Sequence, residues 1–295
     1  MKILVIYNQA SGRRRRARLL PLVAKKLKRA GHQAIFLNFE NFLIQKDNFA
    51  NFKYDRVLVC GGDGTIRRVA EFLLQNNHAI PLGIIPIGSA NVLAQSLHVP
   101  RTIHKALKVF LTGGVKKIDV GLINQQHYFL DAFAIGYLSE RILAAKQQLK
   151  HLFGFIGYLA SFIFSRAMPQ YIFNFSVDGQ EYKSKGNSLF IVNTTRLFGF
   201  EAKRPNDMQD GKFELTVATN RDFKSFAMAT YYYYFHNLPP KHLLIAPGSI
   251  FNIQLTSDHR IQIDGDLLEI SEAILNIQII RQCLSVITRH HVKLC

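Results

Sequence analysis

Five residues, Gly61-Gly62-Asp63-Gly64-Thr65, constrain this chain more than any others. They follow a strand-like run at 56–60, Arg-Val-Leu-Val-Cys, and precede a helix-like run at 66–75. Glycines between a strand and a helix let backbone N–H groups approach an anion closely, because no Cβ blocks the way. The helix start behind them adds its own unpaired N–H groups and the positive end of its dipole. Asp63 would repel phosphate unless it acts through a divalent cation, so the pattern points to a magnesium–nucleotide triphosphate. A tight βα turn with no ligand is the plain alternative.

A second element sharpens the reading. Pro81-Leu-Gly-Ile-Ile-Pro-Ile-Gly-Ser-Ala-Asn91 reads as a short buried strand ending in a Pro/Gly turn, with Ser89 and Asn91 leading into a helix at 92–97. Together the two motifs resemble the catalytic domain of the diacylglycerol kinase family, which also contains sphingosine and ceramide kinases and soluble bacterial lipid kinases. That family pairs a GGDGT loop with a later P-x-G-T/S-x-N turn. NAD kinases share the first motif but lack the second in this form. The resemblance continues to the end of the chain.

At 295 residues the chain is long enough for two domains. From residue 2 to about 118, strands at 2–7, 33–39, 56–60 and 82–86 alternate with helices at 15–30, 66–75, 92–97 and 103–111, the last closed by Gly113-Gly114. Such alternation implies a parallel sheet covered by helices, with ligands at the carboxyl ends of the strands. Asn8, Ser11 and Gly12 follow the first strand and fall there. After residue 117 the pattern becomes strands at 117–122, 128–133, 170–177, 188–193, 212–218, 251–256, 260–263 and 273–280, interrupted by helices at 139–164 and 223–235. The expected fold is therefore an α/β domain, residues 1–118, and a mostly antiparallel β-sandwich domain, residues 119–281. The resemblance implies the same layout, with the nucleotide in the cleft and a last strand, near 282–295, returning to the first domain.

The net charge of +17 brings in two partner classes, nucleic acid and an anionic membrane surface. Basic residues gather at Arg13 to Arg16, Arg18, Lys25, Lys26, Lys28 and Arg29 on one predicted helix, whose Leu19, Leu20, Val23 and Leu27 would pack on the sheet. No zinc-ligand set or RNA-binding aromatic signature accompanies the charge, so no nucleic acid is expected; a solvated helix face or peripheral contact with anionic lipid remains. The uncharged run at 152–165 is short for a membrane span. Cys60, Cys283 and Cys295 lack metal-ligand spacing and suit a reducing compartment. With a strand starting at residue 2 and no room for a signal peptide, the expected address is cytoplasmic, with peripheral membrane association. A homodimer stays open.

Phosphoryl transfer to an alcohol needs a phosphate cradle, a metal and a base. The resemblance assigns ATP to Gly61, Gly62, Asp63, Gly64, Thr65, Ile66 and Arg67, with Asn8, Ser11, Gly12 and Ser89 as neighbours. Ile263-Asp264-Gly265-Asp266 is similar to the family's D-G-E turn, whose Glu is the general base; Asp266 stands in that place, one methylene shorter, while Asp264 shapes the turn. Read alone, Asp-Gly-Asp is an ordinary hairpin turn. The segment from Pro205 to Gly211 is similar to one in which an Asp and two backbone carbonyls hold a structural Mg²⁺; Asp210 matches the Asp, and Asp207 and Lys212 take the places of the carbonyl donors. A plain polar turn is equally open there. Asn91 and Glu140 are placed beside the lipid, Glu140 where sphingosine kinases carry an acid near the substrate amine. The helix-like segment 152–164, with Gly154, Gly157 and five aromatics, corresponds to the region bordering the acyl-chain pocket; an ordinary buried helix explains it as well.

Three departures stand out: Arg67-Arg68 replaces the usual Asn-Glu after GGDGT, and Val92 and Gln95 replace the commoner Asp and Arg after Asn91. The implied activity is ATP-dependent phosphorylation of a lipid alcohol such as diacylglycerol. Sphingoid-base or ceramide phosphorylation, an NAD kinase-like activity and a catalytically lapsed basic binding protein are the alternatives.

Overall fold

A computed structural model describes residues 1–11, 13–45, 53–137, 139, 168–193, 196–197, 200–201, 208–220, 243–255 and 260–289. Gly12, Glu140, Asp207, the segment 152–164 and the helix at 223–235 lie outside the described residues, as does all but residue 139 of the helix at 139–164. The chain divides into two compact units, Met1–Ile118 with Gln282–Cys295, and Asp119–Arg281.

The first unit alternates strand and helix. Its elements are β1 (Lys2–Tyr7), α1 (Arg13–Arg29), β2 (Gln33–Asn38), α2 (Phe39–Gln45), β3 (Arg56–Gly61), α3 (Asp63–Gln75), β4 (Leu82–Pro86), α4 (Val92–Ser96) and α5 (Ile103–Thr112). The strands pair in parallel in the order β2-β1-β3-β4. Ile3 to Ile6 and Val57 to Cys60 are fully buried, as continuous apolar runs in a two-sided parallel sheet require. Helix α1 buries Leu19, Val23 and Leu27, spaced one turn apart, and exposes Lys25, Lys26, Lys28 and Arg29. Gly83 in β4 lies under the ring of Phe110 from α5, so a side chain there would displace the helix. The order reverses direction between β1 and β3, which opens a crevice at their carboxyl ends.

In chain order the remaining strands are β5 (Gly114–Ile123), β6 (His127–Phe129), β7 (Ala132–Gly136), β8 (Tyr171–Val177), β9 (Gln180–Gly186), β10 (Ser188–Val192), β11 (Arg196–Leu197), β12 (Phe200–Glu201), β13 (Phe213–Ala218), β14 (Leu243–Gly248), β15 (Ile250–Gln254), β16 (Ile261–Ile263), β17 (Asp266–Leu268) and β18 (Ile274–Thr288). Within the second unit one antiparallel sheet runs β14-β13-β10-β7-β16-β17. In another, β15 lies between β8 and the 274–278 part of β18, and β9 pairs with the far side of β8. Phe133, Ile135, Leu189, Phe213 and Leu215 from the first share one core with Phe173, Phe175, Phe251, Ile253 and Leu275 from the second. This is the sandwich that period-two alternation predicts.

Several elements differ from the sequence expectation. The strand expected at 128–133 is two, β6 and β7, because Leu130 and Asp131 turn their N–H groups onto a carboxylate from far along the chain. The strands expected at 273–280 and near 282 are one, β18, with Gln282 at φ 45° inside it. Strands β9, β11, β12, β14 and β17 and helix α2 are additional. Gly113 closes α5 as expected, as its C-cap at φ −77°, and a Cβ there would meet the Thr288 and Val109 carbonyl oxygens.

Candidate functional site

Gly61 ends β3 and helix α3 begins at Asp63, so only Gly62 of the five-residue motif lies between them; Asp63, Gly64 and Thr65 form the first turn of the helix. Gly62 is the N-cap in an extended conformation and contributes no side-chain cap, leaving the helix start open to an outside acceptor. Thr65 and Ile66 donate their N–H groups to the Gly62 carbonyl, both at 3.0 Å. The Asn8 amide donates to the Thr65 hydroxyl at 2.8 Å, and its Oδ1 accepts the Ala10 N–H at 2.8 Å. One side chain thus ties the loop after β1 to the start of α3. Ser11 follows that loop, its N–H donating to the Asn8 carbonyl at 3.3 Å.

The Pro/Gly turn lies against the same glycines. The Ile87 N–H donates to the Gly61 carbonyl at 3.1 Å, extending the β3–β4 pairing by one step. A Cβ built on Gly88 would stand 2.5 Å from Gly62 Cα, and one built on Gly62 would stand 3.2 Å from Gly88 Cα. The two loops therefore touch through bare backbone. Asn91, at φ 53°, accepts the Gly88 N–H at 2.9 Å and donates to the Gly88 carbonyl at 2.7 Å, closing the turn on itself. Asn91 holds the loop with the amide that was expected beside the lipid. Ser89 is exposed at the tip. Gln95 donates to the Ala90 carbonyl at 2.6 Å, and the Arg101 guanidinium reaches the same carbonyl at 3.3 Å and that of Ser89 at 3.4 Å. Sequence reasoning did not single out Arg101, whose neighbourhood to the loop depends on the path of the chain after α4.

Arg67 is nearly enclosed, with its Nη1 3.4 Å from Glu71 Oε2 one turn on, whereas Arg68 is exposed. The two arginines therefore have unlike surroundings. Cys60 is the last residue but one of β3, and burial pushes its thiol up to about 12. Bare glycine backbone from two loops, together with an uncapped helix start at the crevice between β1 and β3, fits an extended anion such as a nucleotide polyphosphate. Asp63 is the carboxylate at this start; among the described residues no three His, Cys, Asp or Glu side chains converge to hold a metal by themselves. A magnesium ion here would complete its shell with phosphate oxygens.

In the second unit Asp264 and Gly265, at φ 47° and 83°, form the two-residue turn between β16 and β17. Both positive angles are what a tight hairpin of this type demands. The Asp264 carboxylate is buried and accepts three backbone N–H groups, from Leu130 and Asp131 at 2.8 Å each and Ala132 at 3.0 Å. Asp266 follows, half-buried, paired across from Ile263. Asp210 is exposed and accepts the Lys212 N–H at 2.8 Å. Gly211 between them donates to the fully buried Asp119 carboxylate at 2.6 Å. Asp210 and Lys212 thus form a turn bonded to itself and anchored by Asp119, a residue that sequence reasoning missed.

Residues 2–123 match the family described as the diacylglycerol kinase catalytic domain. Proteins named diacylglycerol kinase from Staphylococcus aureus strains RF122 and MRSA252 are each 27% identical over 269 residues, covering 89% of this chain and 85% of theirs. A crystal structure of a diacylglycerol kinase from Bacillus anthracis str. Sterne superposes with a TM-score of 0.73 at 21% identity, covering 99% of this chain and 98% of that one. Another from the same organism reaches 0.78 at 21% identity, with the same coverage. Among the described residues no helix is long and apolar enough to cross a membrane.

Proposed function

With residues 2–123 belonging to the diacylglycerol kinase catalytic-domain family, we propose that this chain is an ATP-dependent lipid kinase that phosphorylates the hydroxyl of a lipid alcohol such as diacylglycerol. The observation that carries the reading is the contact of Gly62 with Gly88, which leaves two loops of bare backbone beside the open start of α3. When bound, ATP supplies the phosphoryl group and magnesium spreads its developing charge.

The chain's own residues take the remaining tasks. The N–H groups of the α3 start hold phosphate oxygens, with Asn8 fixing Thr65 and Asn91 fixing Gly88 in place. Asp63 is the carboxylate assigned to the metal. Ser11, Gly12 and Ser89 border the nucleotide. Asp266 accepts the proton of the lipid hydroxyl, and Asp264 keeps its turn rigid through three backbone hydrogen bonds. Lipid substrates reside in membranes, and the exposed Lys25, Lys26, Lys28 and Arg29 of α1 suit peripheral attachment to an anionic surface, at roughly 1 kcal/mol for each cation near the lipid.

Radiolabelled ATP with magnesium and a panel of diacylglycerols, monoacylglycerols, sphingoid bases, ceramides and NAD tests the reading. Label should enter diacylglycerol. Label in a sphingoid base or ceramide would reassign the lipid, and label in NAD alone would reject lipid phosphorylation. A protein that binds ATP but labels nothing in the panel would be a lapsed enzyme.

A further inference from the structure

Asp63, Arg67 and Glu71 stand four residues apart along α3, so they form one acid–base–acid row that starts at the phosphate cradle. The middle member is unusual in its surroundings. The Arg67 side chain is 7% exposed, and Glu71, its partner at 3.4 Å, is 18% exposed. A guanidinium is charged at all working pH values, so this cation is permanent. Its Cα lies one turn along α3 from Asp63, and its guanidinium ends beside Glu71. Burial of Arg67, the middle member, reduces the screening of its charge by water.

We propose that this row sets the charge of the cradle and thereby sets how far nucleotide binding depends on a divalent cation, with Arg67 and Glu71 as positioning residues. The inference rests on the reading that the cradle binds a nucleotide. The arithmetic is simple. Two carboxylates and one guanidinium leave the row at −1. Removing the guanidinium leaves −2 in the row beside a polyanion, which makes a metal more necessary. Neutralising Glu71 leaves 0, which favours the polyanion without metal.

Those signs give a test that a merely structural ion pair cannot satisfy, since breaking such a pair from either side would weaken binding. Dissociation constants for ATP would be measured by calorimetry in EDTA and again with magnesium, for the wild type, Arg67→Gln, Glu71→Gln and the double variant. Arg67→Gln should weaken metal-free ATP binding at least about tenfold, since it removes a permanent cation from beside a polyanion. Magnesium–ATP should change by less than about threefold, because the metal masks the difference. Glu71→Gln should tighten metal-free binding, and the double variant should return to the wild-type value. If Arg67→Gln fails to fold, Glu71→Gln decides alone: tighter metal-free binding supports the row, and unchanged or weaker binding overturns it. A wild type that binds magnesium–ATP while both single variants shift in the same direction overturns the row and leaves the kinase reading intact. A wild type that binds no nucleotide under either condition overturns both.

Discussion

Asp264→Asn separates the scaffold of the Asp-Gly-Asp turn from its chemistry. The carboxylate accepts three buried backbone N–H groups, Oδ1 taking Asp131 and Ala132 and Oδ2 taking Leu130. Asparagine can keep its oxygen at the Oδ1 position, with two weaker neutral bonds in place of charged ones. Its NH2 group then faces the Leu130 N–H, donor against donor. An unsatisfied buried donor costs about 1–3 kcal/mol, and two charged-to-neutral exchanges add roughly 0.5–1.5 kcal/mol each, so about 3 kcal/mol of stability should go. The backbone does not confuse the measurement, because asparagine adopts the left-handed region as readily as aspartate does at φ 47°. For a unit the size of Asp119–Arg281 that loss lowers the melting temperature by about 6–12 °C in scanning calorimetry. Asp266→Asn is the control, leaving the melting temperature within about 2 °C while turnover falls about 10²–10⁴-fold. A shift below about 2 °C for Asp264→Asn would refute the claim that this carboxylate holds the turn.

Gly88→Ala puts a methyl group 2.5 Å from Gly62 Cα and 2.9 Å from Asn91 Oδ1, so one loop must move; ATP affinity should fall at least about tenfold, and an unchanged dissociation constant would dissociate the two loops from nucleotide binding. The Cys60 thiol, pushed up to about 12 by burial, should resist alkylation at pH 8 in the native protein and react only on unfolding, as peptide mass mapping would show. Labelling of Cys60 at the rate of a free thiol would contradict its enclosure.

The sequence revealed elements wherever one local pattern decides. Strands β1 and β4 fall at 2–7 and 82–86, as their unbroken apolar runs indicate. The helical start was less legible, since Asp63, Gly64 and Thr65 read as loop from their glycine content, yet sit in the first turn because an uncapped helix start tolerates Gly and favours Asp. Strand β9 escaped notice because Glu181, Lys183 and Lys185 face outward and only Tyr182 packs, stacked on Phe175 at 5.3 Å. The break between β6 and β7 had no local signal at all. Its cause, Asp264, is more than 130 residues away. Arg67 has the same character: its spacing to Glu71 is visible in sequence, but its burial is not.

The glycine motif and the Pro/Gly turn are one structural feature divided by sequence. Strands β3 and β4 pair with Gly61 opposite Pro86, so the next residues of each strand emerge side by side. A Cβ on Gly88 would stand 2.5 Å from Gly62 Cα and one on Gly62 3.2 Å from Gly88 Cα, so the first change must move a loop and the second must shift its neighbour by a few tenths of an ångström. What fixes the second loop is internal to it, since Asn91 takes both the N–H and the carbonyl of Gly88. Positions outside that closure are freer. Gln95, in place of the commoner Arg, still binds the Ala90 carbonyl, and Arg101 shares it, so this carbonyl stays occupied. The departures at Val92 and Gln95 therefore leave the cradle's backbone geometry standing, whereas Arg67 alters its charge. Under the proposed nucleotide reading, these departures bear on electrostatics more than on shape, and the metal dependence of ATP binding is the property that tests them.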